Sequence, residues 1–146
     1  MYPRSGGNGT AYNRGVVEAG LEERLRSVVE AATDEVVAVY LYGSRARGTS
    51  RPGSDLDLAV LLRHAPPATL TSPARDVEDA VERSFRIPTQ AVVLNTAPAD
   101  LVHRVLRDGV LLLDRDRATR IRFEVQARNE YFDLAPLRRL YRRLPA

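Results

Sequence analysis

The chain has 146 residues, of which 44% are hydrophobic and 28% charged, so it is large enough for one domain with its own core. It has no cysteine, which excludes disulfides and thiolate zinc sites. It also lacks lysine, which excludes a lysine nucleophile, and it has no apolar run long enough to span a membrane.

Positive charge is concentrated near the C-terminus. Residues 1–100 carry 11 arginines against 13 acidic residues, a net charge of −2, whereas residues 101–146 carry 11 arginines against 6 acidic residues, a net charge of +5. A basic tail suits nucleic acid, an acidic protein partner or a solvated helix face. Because aromatic and basic residues do not interleave there, nucleic acid is the least favoured of the three.

The first third of the chain predicts an arm, a helix and a strand. Residues 1–15 are rich in Gly, Asn and Ser and lack the apolar segment of a secretion signal, so we expect a flexible arm and a cytoplasmic protein. Residues 36–42 are apolar throughout, which is typical of a strand covered on both faces. Residues 16–33 predict an amphipathic helix, with apolar side chains at Val17, Leu21, Leu25, Val28, Val29 and Ala32.

The middle of the chain predicts two more strands separated by a helix. Residues 55–62 should return beside the first strand in antiparallel direction, after a turn rich in Gly and Pro. Residues 64–71 predict a loop, and Ser72-Pro73 is typical of a helix start, with Val77, Ala80 and Val81 as its buried stripe. A third strand over residues 89–94 follows this helix, so it should run parallel to the second.

The next elements predict a helix and an edge strand. Asn95 and Thr96, just before Pro98, are expected to open a helix that ends at Gly109. Residues 110–113 predict a short edge strand. The buried positions of the helix are expected to be Leu101, Val105 and Leu106.

The last long helix, predicted over residues 115–134, has two apolar stripes. One contains Ala118, Ile121, Val125 and Phe132, and the other contains Phe123, Ala127, Tyr131 and Leu134. A helix with two apolar faces needs two partners. The first can be the domain's own sheet, and the second can be residues 136–144 or a different chain. We predict a partner interface at Phe123, Ala127, Tyr131 and Leu134.

Two carboxylates begin the second strand. Asp55 and Asp57 share one face of that strand, and like charges at this distance repel unless a cation lies between them. Carboxylate oxygens with room left for phosphate oxygens are typical of a magnesium site. Alone, this pair would more often be the solvated face of a hairpin.

A phosphate-binding turn precedes the carboxylates. Gly43 lets the backbone approach a ligand, and Ser44 opens a helical turn whose N–H groups and hydroxyl can hold phosphate. Arg45 and Arg47 add donors suited to a triphosphate. Gly-Ser alone is an ordinary turn, but its pairing with the carboxylates favours a site for a metal-bound nucleotide.

This pattern of Gly43-Ser44, ten residues and Asp55-Leu56-Asp57 resembles the signature of the minimal nucleotidyltransferase (MNT) domains of the DNA polymerase β-like superfamily. The similarity extends through residues 92–114 and 123–141. It implies an α+β fold with a mixed central sheet of about four strands flanked by helices, in one domain over residues 16–146 with a partner-binding C-terminal helix. It also implies Mg²⁺ at the two carboxylates and ATP at Gly43, Ser44, Arg45, Arg47 and Ser54.

The sequence departs from that family at one catalytic position. The superfamily uses a third acidic residue on the strand after the helical crossover, and the matching position here is Gln90. An amide cannot accept a proton at neutral pH and is a poorer Mg²⁺ ligand than a carboxylate. The activity predicted for Asp55, Asp57 and Gln90 is therefore either slow, dependent on another base, or absent.

Domains of this size resemble the antitoxins of pairs whose toxin is a HEPN-domain ribonuclease. The resemblance implies a protein adenylyltransferase that moves AMP from ATP onto a tyrosine hydroxyl of the toxin, within a homo- or hetero-oligomer. One alternative is an inactive MNT protein that neutralises its partner by binding. Another is transfer onto a small molecule or RNA, which the absence of an acceptor domain disfavours.

Overall fold

The computed structural model describes residues 20–66 and 72–143, and the strands in these ranges form one mixed sheet in the order β3-β2-β1-β4. The strands are β1 (Val36–Tyr42), β2 (Leu56–Leu62), β3 (Thr89–Val93) and β4 (Val110–Asp114). β1 pairs antiparallel with β2 and with β4, and β2 pairs parallel with β3. The predicted α+β class, the four strands, the antiparallel β1–β2 pair, the parallel β2–β3 pair and the edge position of β4 are confirmed.

Helices cover both faces of this sheet. They are α1 (Leu21–Ala32), α2 (Ser44–Arg47), α3 (Pro73–Phe85), α4 (Ala99–Asp108), α5 (Arg117–Asp133) and α6 (Ala135–Arg143). α1 and α3 pack on one face through Leu25, Val29, Val77 and Val81. α4 and α5 pack on the other face through Val102, Val105, Leu106, Phe123 and Ala127. No helix in the described part of the chain is both long and apolar enough to cross a bilayer.

Some predictions fall outside the described residues. These are the arm over residues 1–15, the first turn of the predicted first helix, the loop tip over residues 67–71, and the last three residues. Within the described part, α1 begins at Leu21 rather than near residue 16. Gly20 has a φ of 82°, which a continuous right-handed helix cannot include.

The start of α4 differs from the prediction. Asn95 does not cap the helix, because its side-chain amide is occupied by the backbone of Leu62. The Leu62 N–H donates to Asn95 Oδ1 at 2.9 Å, and Asn95 Nδ2 donates to the Leu62 carbonyl at 2.9 Å. The helix starts after Pro98 without a side-chain cap. Asn95 thus joins the end of β3 to the end of β2, and Val102 joins the buried residues of α4.

β3 lies at the edge of the sheet, and carboxylates from α3 occupy its outer N–H groups. Thr89 N–H donates to Glu82 Oε1 at 2.9 Å, and Ala91 N–H donates to Glu78 Oε2 at 3.0 Å. These bonds protect the edge from pairing with another strand. They also fix Gln90, which lies between the two donors.

α5 is anchored by a buried carboxylate. Glu124 is 6% exposed, and it accepts hydrogen bonds from the Tyr40 hydroxyl at 2.7 Å and from Arg120 Nη1 at 2.8 Å. Arg120 Nε also lies 3.0 Å from Asp114 Oδ2. A buried charge is costly unless it is paired, so this network fixes α5 against β1 and β4.

The two apolar faces of α5 are placed differently from the prediction. Phe123 and Ala127 pack on the domain's own core, and the Tyr131 ring stacks on the ring of His103 with centroids 3.7 Å apart. The face that we predicted to bind a partner is therefore largely occupied within the chain, apart from Leu134, which is 42% exposed. The opposite face, with Ile121, Val125 and Phe132, is the exposed one.

Candidate nucleotide and metal site

The carboxylate pair lies where three strands meet. Asp57 in β2 pairs with Tyr42 in β1 on one side and with Gln90 in β3 on the other. Partners directly opposite in neighbouring strands share a face of the sheet, so these three side chains form a row on the face that carries α4 and α5. Asp55 lies two residues before Asp57 and is exposed, whereas Asp57 is half-buried.

The charge of Asp55 acts on the carboxyl group of Asp57. Burial raises the pKa of Asp57, the charge of Asp55 raises it further, and the charge of Arg47 lowers it. The ionised pair is therefore unfavourable in the protein alone. A cation bound between the carboxylates would relieve this repulsion.

Gly43 brings the predicted phosphate-binding turn against the carboxylates. Its φ is 74° and its ψ is −156°, a conformation that side chains rarely tolerate. A Cβ at this position would lie 2.3 Å from Asp57 Oδ2 and 3.2 Å from Asp57 Cγ. The two halves of the motif, which lie ten residues apart in sequence, are thus in direct contact.

Arg45 and Ser54 stabilise the loop between the two halves. Arg45 donates from Nε at 3.1 Å and from Nη2 at 2.7 Å to the carbonyl oxygen of Ser54. The Ser54 hydroxyl accepts from the N–H of Arg51 at 2.8 Å. In this structure both residues that we predicted to bind nucleotide hold the loop, whereas the exposed Arg47 lies near Asp57.

We expect Arg45→Met to weaken binding of Mg²⁺ and AMP-PNP by about tenfold. The change removes two charge-assisted hydrogen bonds, each of which contributes about 1.5–3 kcal/mol. Part of this free energy orders the loop before Asp55. Calorimetric titration measures the change in Kd. The matched control is Arg51→Met in the same loop, because Arg51 bonds to Ser54 through its backbone and its side chain makes no hydrogen bond to a described residue. Equal losses in the two variants would contradict a specific role for Arg45.

Two residues of this site, Tyr42 and Arg104, were not predicted from the sequence. Burial raises the pKa of the Tyr42 hydroxyl, the charge of Asp57 raises it further, and the charge of Arg104 lowers it. Arg104 lies on α4. The C-terminal end of this helix is close to β1, because a Cβ added to Gly109 would lie 3.3 Å from the carbonyl oxygen of Leu41. Nothing in the helical pattern marks Arg104, so only the fold reveals its position.

The donors at this site suit Mg²⁺. They are the hard carboxylate oxygens of Asp55 and Asp57 and, in the neighbouring strand, the amide oxygen of Gln90. Nowhere in residues 20–66 and 72–143 do three His, Cys, Asp or Glu side chains cluster as metal ligands. Any further ligands of the ion would therefore come from the amide, from water or from a bound phosphate.

Comparison with known proteins shows the family and the fold of the chain. The model of the polymerase beta nucleotidyltransferase family matches residues 23–118, so the chain belongs to this family. The fold resembles that of chains in toxin–antitoxin structures, one of which is a complex of HEPN toxin with MNT antitoxin. No curated protein sequence matches the chain.

Solved structures with a similar fold come from toxin–antitoxin complexes. A chain of a toxin–antitoxin crystal structure with AMP-PNP has a TM-score of 0.70 and 21% identity, and the match covers 83% of this chain and 94% of that one. A chain from a complex of tri-AMPylated Shewanella oneidensis HEPN toxin with MNT antitoxin has a TM-score of 0.64 and 19% identity. This match covers 82% of this chain and 91% of that one. A chain of the MntA-HepT toxin–antitoxin structure has a TM-score of 0.63 and 18% identity, and the match covers 82% of this chain and 92% of that one.

Proposed function

We propose that this protein is a Mg²⁺-dependent nucleotidyltransferase that takes ATP as its substrate. The observation that carries the proposal is the contact between Gly43 and Asp57, which joins a phosphate-binding turn to a carboxylate pair. The family membership supports the reaction class. The structure with AMP-PNP, an ATP analogue, supports the choice of nucleotide.

Each residue of the site has a role in this proposal. Asp55 and Asp57 would hold a Mg²⁺ ion, which would neutralise the triphosphate and stabilise the pyrophosphate leaving group. The backbone at Gly43 and the Ser44 hydroxyl bind the β- and γ-phosphates, and Arg47 offsets the charge that develops on the leaving group.

The reaction is an in-line displacement. The acceptor oxygen forms a bond to the α-phosphorus as the bond to pyrophosphate breaks. The proton of the acceptor hydroxyl passes to another base or to solvent, because the Gln90 amide cannot accept it.

We propose that the acceptor is a tyrosine hydroxyl of a HEPN-domain toxin. The domain has no acceptor-binding module among its described residues, so the acceptor must dock from outside. The similar fold seen in complex with tri-AMPylated HEPN toxin supports this choice. The test is to incubate the protein with ATP, Mg²⁺ and the product of the neighbouring gene, and to measure the mass of that product. An added AMP supports the proposal, and an unchanged mass contradicts it.

A second candidate is an inactive MNT protein that neutralises its partner by binding alone. The amide at Gln90 and the exposed face of α5, with Ile121, Val125 and Phe132, favour this function. The same experiment separates the two candidates. Loss of toxin activity without any added mass would support binding alone.

Gln90→Asp is expected to raise the rate of AMP transfer by about tenfold or more. The new carboxylate would lie beside Asp57, where it can accept the proton of the attacking hydroxyl and bind Mg²⁺. Mass spectrometry of the partner at timed intervals measures the rate. Gln90→Asn is the matched control, because it has the same length as aspartate but keeps the amide. An unchanged or lower rate in Gln90→Asp would show that Gln90 does not limit the reaction.

A further inference from the structure

α4 has three sides with different surroundings. One side packs on the sheet through Val102, Val105 and Leu106. A second side faces α5, because the ring of His103 stacks on the ring of Tyr131 with centroids 3.7 Å apart. An α-helix turns by about 100° per residue, so Arg104 points away from this stack. Arg104 is exposed and shares the third side of the helix with Asp108, one turn later.

The third side of α4 lies next to the carboxylate site. The end of α4 is close to the end of β1, because a Cβ added to Gly109 would lie 3.3 Å from the carbonyl oxygen of Leu41. Tyr42 follows Leu41 and pairs with Asp57 in β2. Burial and the charge of Asp57 raise the pKa of the Tyr42 hydroxyl, whereas the charge of Arg104 lowers it. The positive charge of Arg104 therefore acts on the β1 side of the carboxylate pair.

Arg104 is a cation without a bonded partner in the described part of the chain. Its side chain makes no hydrogen bond or ion pair to residues 20–66 or 72–143. Other arginines around the site differ from it in this respect. Arg45 donates to the carbonyl of Ser54, and Arg107 donates to both carboxylate oxygens of Asp108, at 2.9 and 2.8 Å. Because Arg107 occupies Asp108, the guanidinium donors of Arg104 are available to a ligand.

A triphosphate at this site needs more positive charge than a metal ion supplies. The double charge of Mg²⁺ only balances the carboxylates of Asp55 and Asp57. The negative charge of the triphosphate is then left to backbone N–H groups and to arginines. Arg45 is held by its own loop. Among the described residues, the arginines whose charges act on Asp57 or on its neighbour in β1 are Arg47 and Arg104.

We propose that Arg104 binds the triphosphate of the Mg²⁺-bound nucleotide. This inference rests on the proposed function, which takes ATP with Mg²⁺ as the substrate. The planar guanidinium donates paired hydrogen bonds to phosphate oxygens. Arg47 lies on α2, directly after β1, and Arg104 lies on α4, so two separate elements hold the same anion. Loss of Arg104 weakens binding of the triphosphate and leaves the carboxylates in place.

Calorimetric titration of AMP-PNP into Arg104→Gln, in the presence of Mg²⁺, tests the proposal. The variant is expected to bind AMP-PNP about 10- to 100-fold more weakly than the wild type, because it loses charge-assisted hydrogen bonds to phosphate. Arg104→Lys keeps the positive charge but loses the planar fork, so its affinity should lie between the two. Thermal unfolding without ligands should give the same Tm for Arg104→Gln and the wild type, because this side chain makes no bond to a described residue.

Arg83→Gln is the matched control. Arg83 lies in the last turn of α3, which packs on the other face of the sheet. It is exposed, and its side chain likewise makes no hydrogen bond or ion pair to any described residue. Both substitutions remove one positive charge, so the control separates contact with the nucleotide from the effect of overall charge. Arg83→Gln should bind AMP-PNP like the wild type.

Inorganic triphosphate identifies the part of the nucleotide that Arg104 contacts. At millimolar concentration with Mg²⁺, it should compete with AMP-PNP for the wild type. In Arg104→Gln, the affinity for inorganic triphosphate should fall by the same factor as the affinity for AMP-PNP, because both ligands lose the same phosphate contact.

Several outcomes would overturn the proposal. Wild-type affinity in Arg104→Gln would do so, as would equal losses in Arg104→Gln and Arg83→Gln. Weaker binding together with a lower Tm would give Arg104 a structural role instead. No competition by inorganic triphosphate, or competition that Arg104→Gln leaves unchanged, would show that Arg104 does not act on the phosphates. If the wild type fails to bind AMP-PNP with Mg²⁺, the proposed function fails as well, whereas wild-type affinity in Arg104→Gln leaves the proposed function intact.

Discussion

Asp57→Asn is expected to reduce Mg²⁺-dependent AMP transfer by about 10³-fold or more. The substitution replaces a charged metal ligand by an amide at the residue that contacts Gly43 and lies between Tyr42 and Gln90. Without the ion, the triphosphate is neither neutralised nor held against the acceptor. Mass spectrometry of the partner after incubation with ATP measures the loss. Asp133→Asn, an exposed position at the end of α5, should transfer AMP at the wild-type rate.

The same variant should be more stable than the wild type in the absence of metal. Burial and the charge of Asp55 raise the pKa of Asp57 in the folded state, so the folded state binds this proton more tightly than the unfolded state. Stability is therefore lost as the pH rises through that raised pKa, and the ionised side chain is unfavourable at neutral pH. Asparagine does not ionise, so thermal unfolding at pH 7 without Mg²⁺ should show a higher Tm. A lower Tm would mean that lost activity reflects a damaged fold.

Gly43→Ala is expected to weaken binding of Mg²⁺ and AMP-PNP by about 10²-fold. The new Cβ would lie 2.3 Å from Asp57 Oδ2, a distance at which either the turn or the carboxylate must move. Either movement separates the phosphate-binding turn from the metal ligands. A change of two orders of magnitude in Kd corresponds to about 2.7 kcal/mol of binding free energy. Calorimetric titration measures the change in Kd.

Gly53→Ala is the matched control for this substitution. Gly53 also has a positive φ, of 85°, but a Cβ there would meet nothing within 4 Å. Both variants bear the cost of placing a side chain at a positive φ, on the order of 1–3 kcal/mol, which lowers Tm by about 2–4 °C per kcal/mol, and the ψ of −156° at Gly43 adds to the cost there. Only Gly43→Ala should lose nucleotide binding. Equal losses in both variants would show that backbone strain, and not contact with Asp57, explains the effect.

The sequence predicted those features that depend on local patterns. β1 is apolar on both faces, so its place in the middle of the sheet and its end at Tyr42 follow from composition alone. The spacing from Gly43-Ser44 to Asp57 likewise predicted that the turn and the carboxylates would meet.

Other features depend on distant contacts and could not be predicted in this way. Asn95 looks like a helix cap in sequence, but a backbone 33 residues away binds its amide. The hydrogen bond from Arg45 to the carbonyl of Ser54 also has no signal in the sequence, and nucleotide binding by Arg45 stays a prediction.

The two faces of α5 illustrate the same limit. Both stripes are apolar, and periodicity alone cannot tell which one meets the sheet. The buried Glu124, bonded to Tyr40 and Arg120, orients the helix so that Phe123 faces inward. The buried charge of Glu124 thus determines which apolar face of α5 is exposed. In a sequence pattern, a charged residue normally indicates the exposed side of a helix.

Calorimetric titration of AMP-PNP into the wild-type protein, with and without Mg²⁺, is the most direct test of the site. The arrangement of Gly43, Asp55 and Asp57 predicts binding of the nucleotide when Mg²⁺ is present and little or none when EDTA removes it. No binding in the presence of Mg²⁺, or equal affinity with and without it, would contradict a metal-bound nucleotide at these residues.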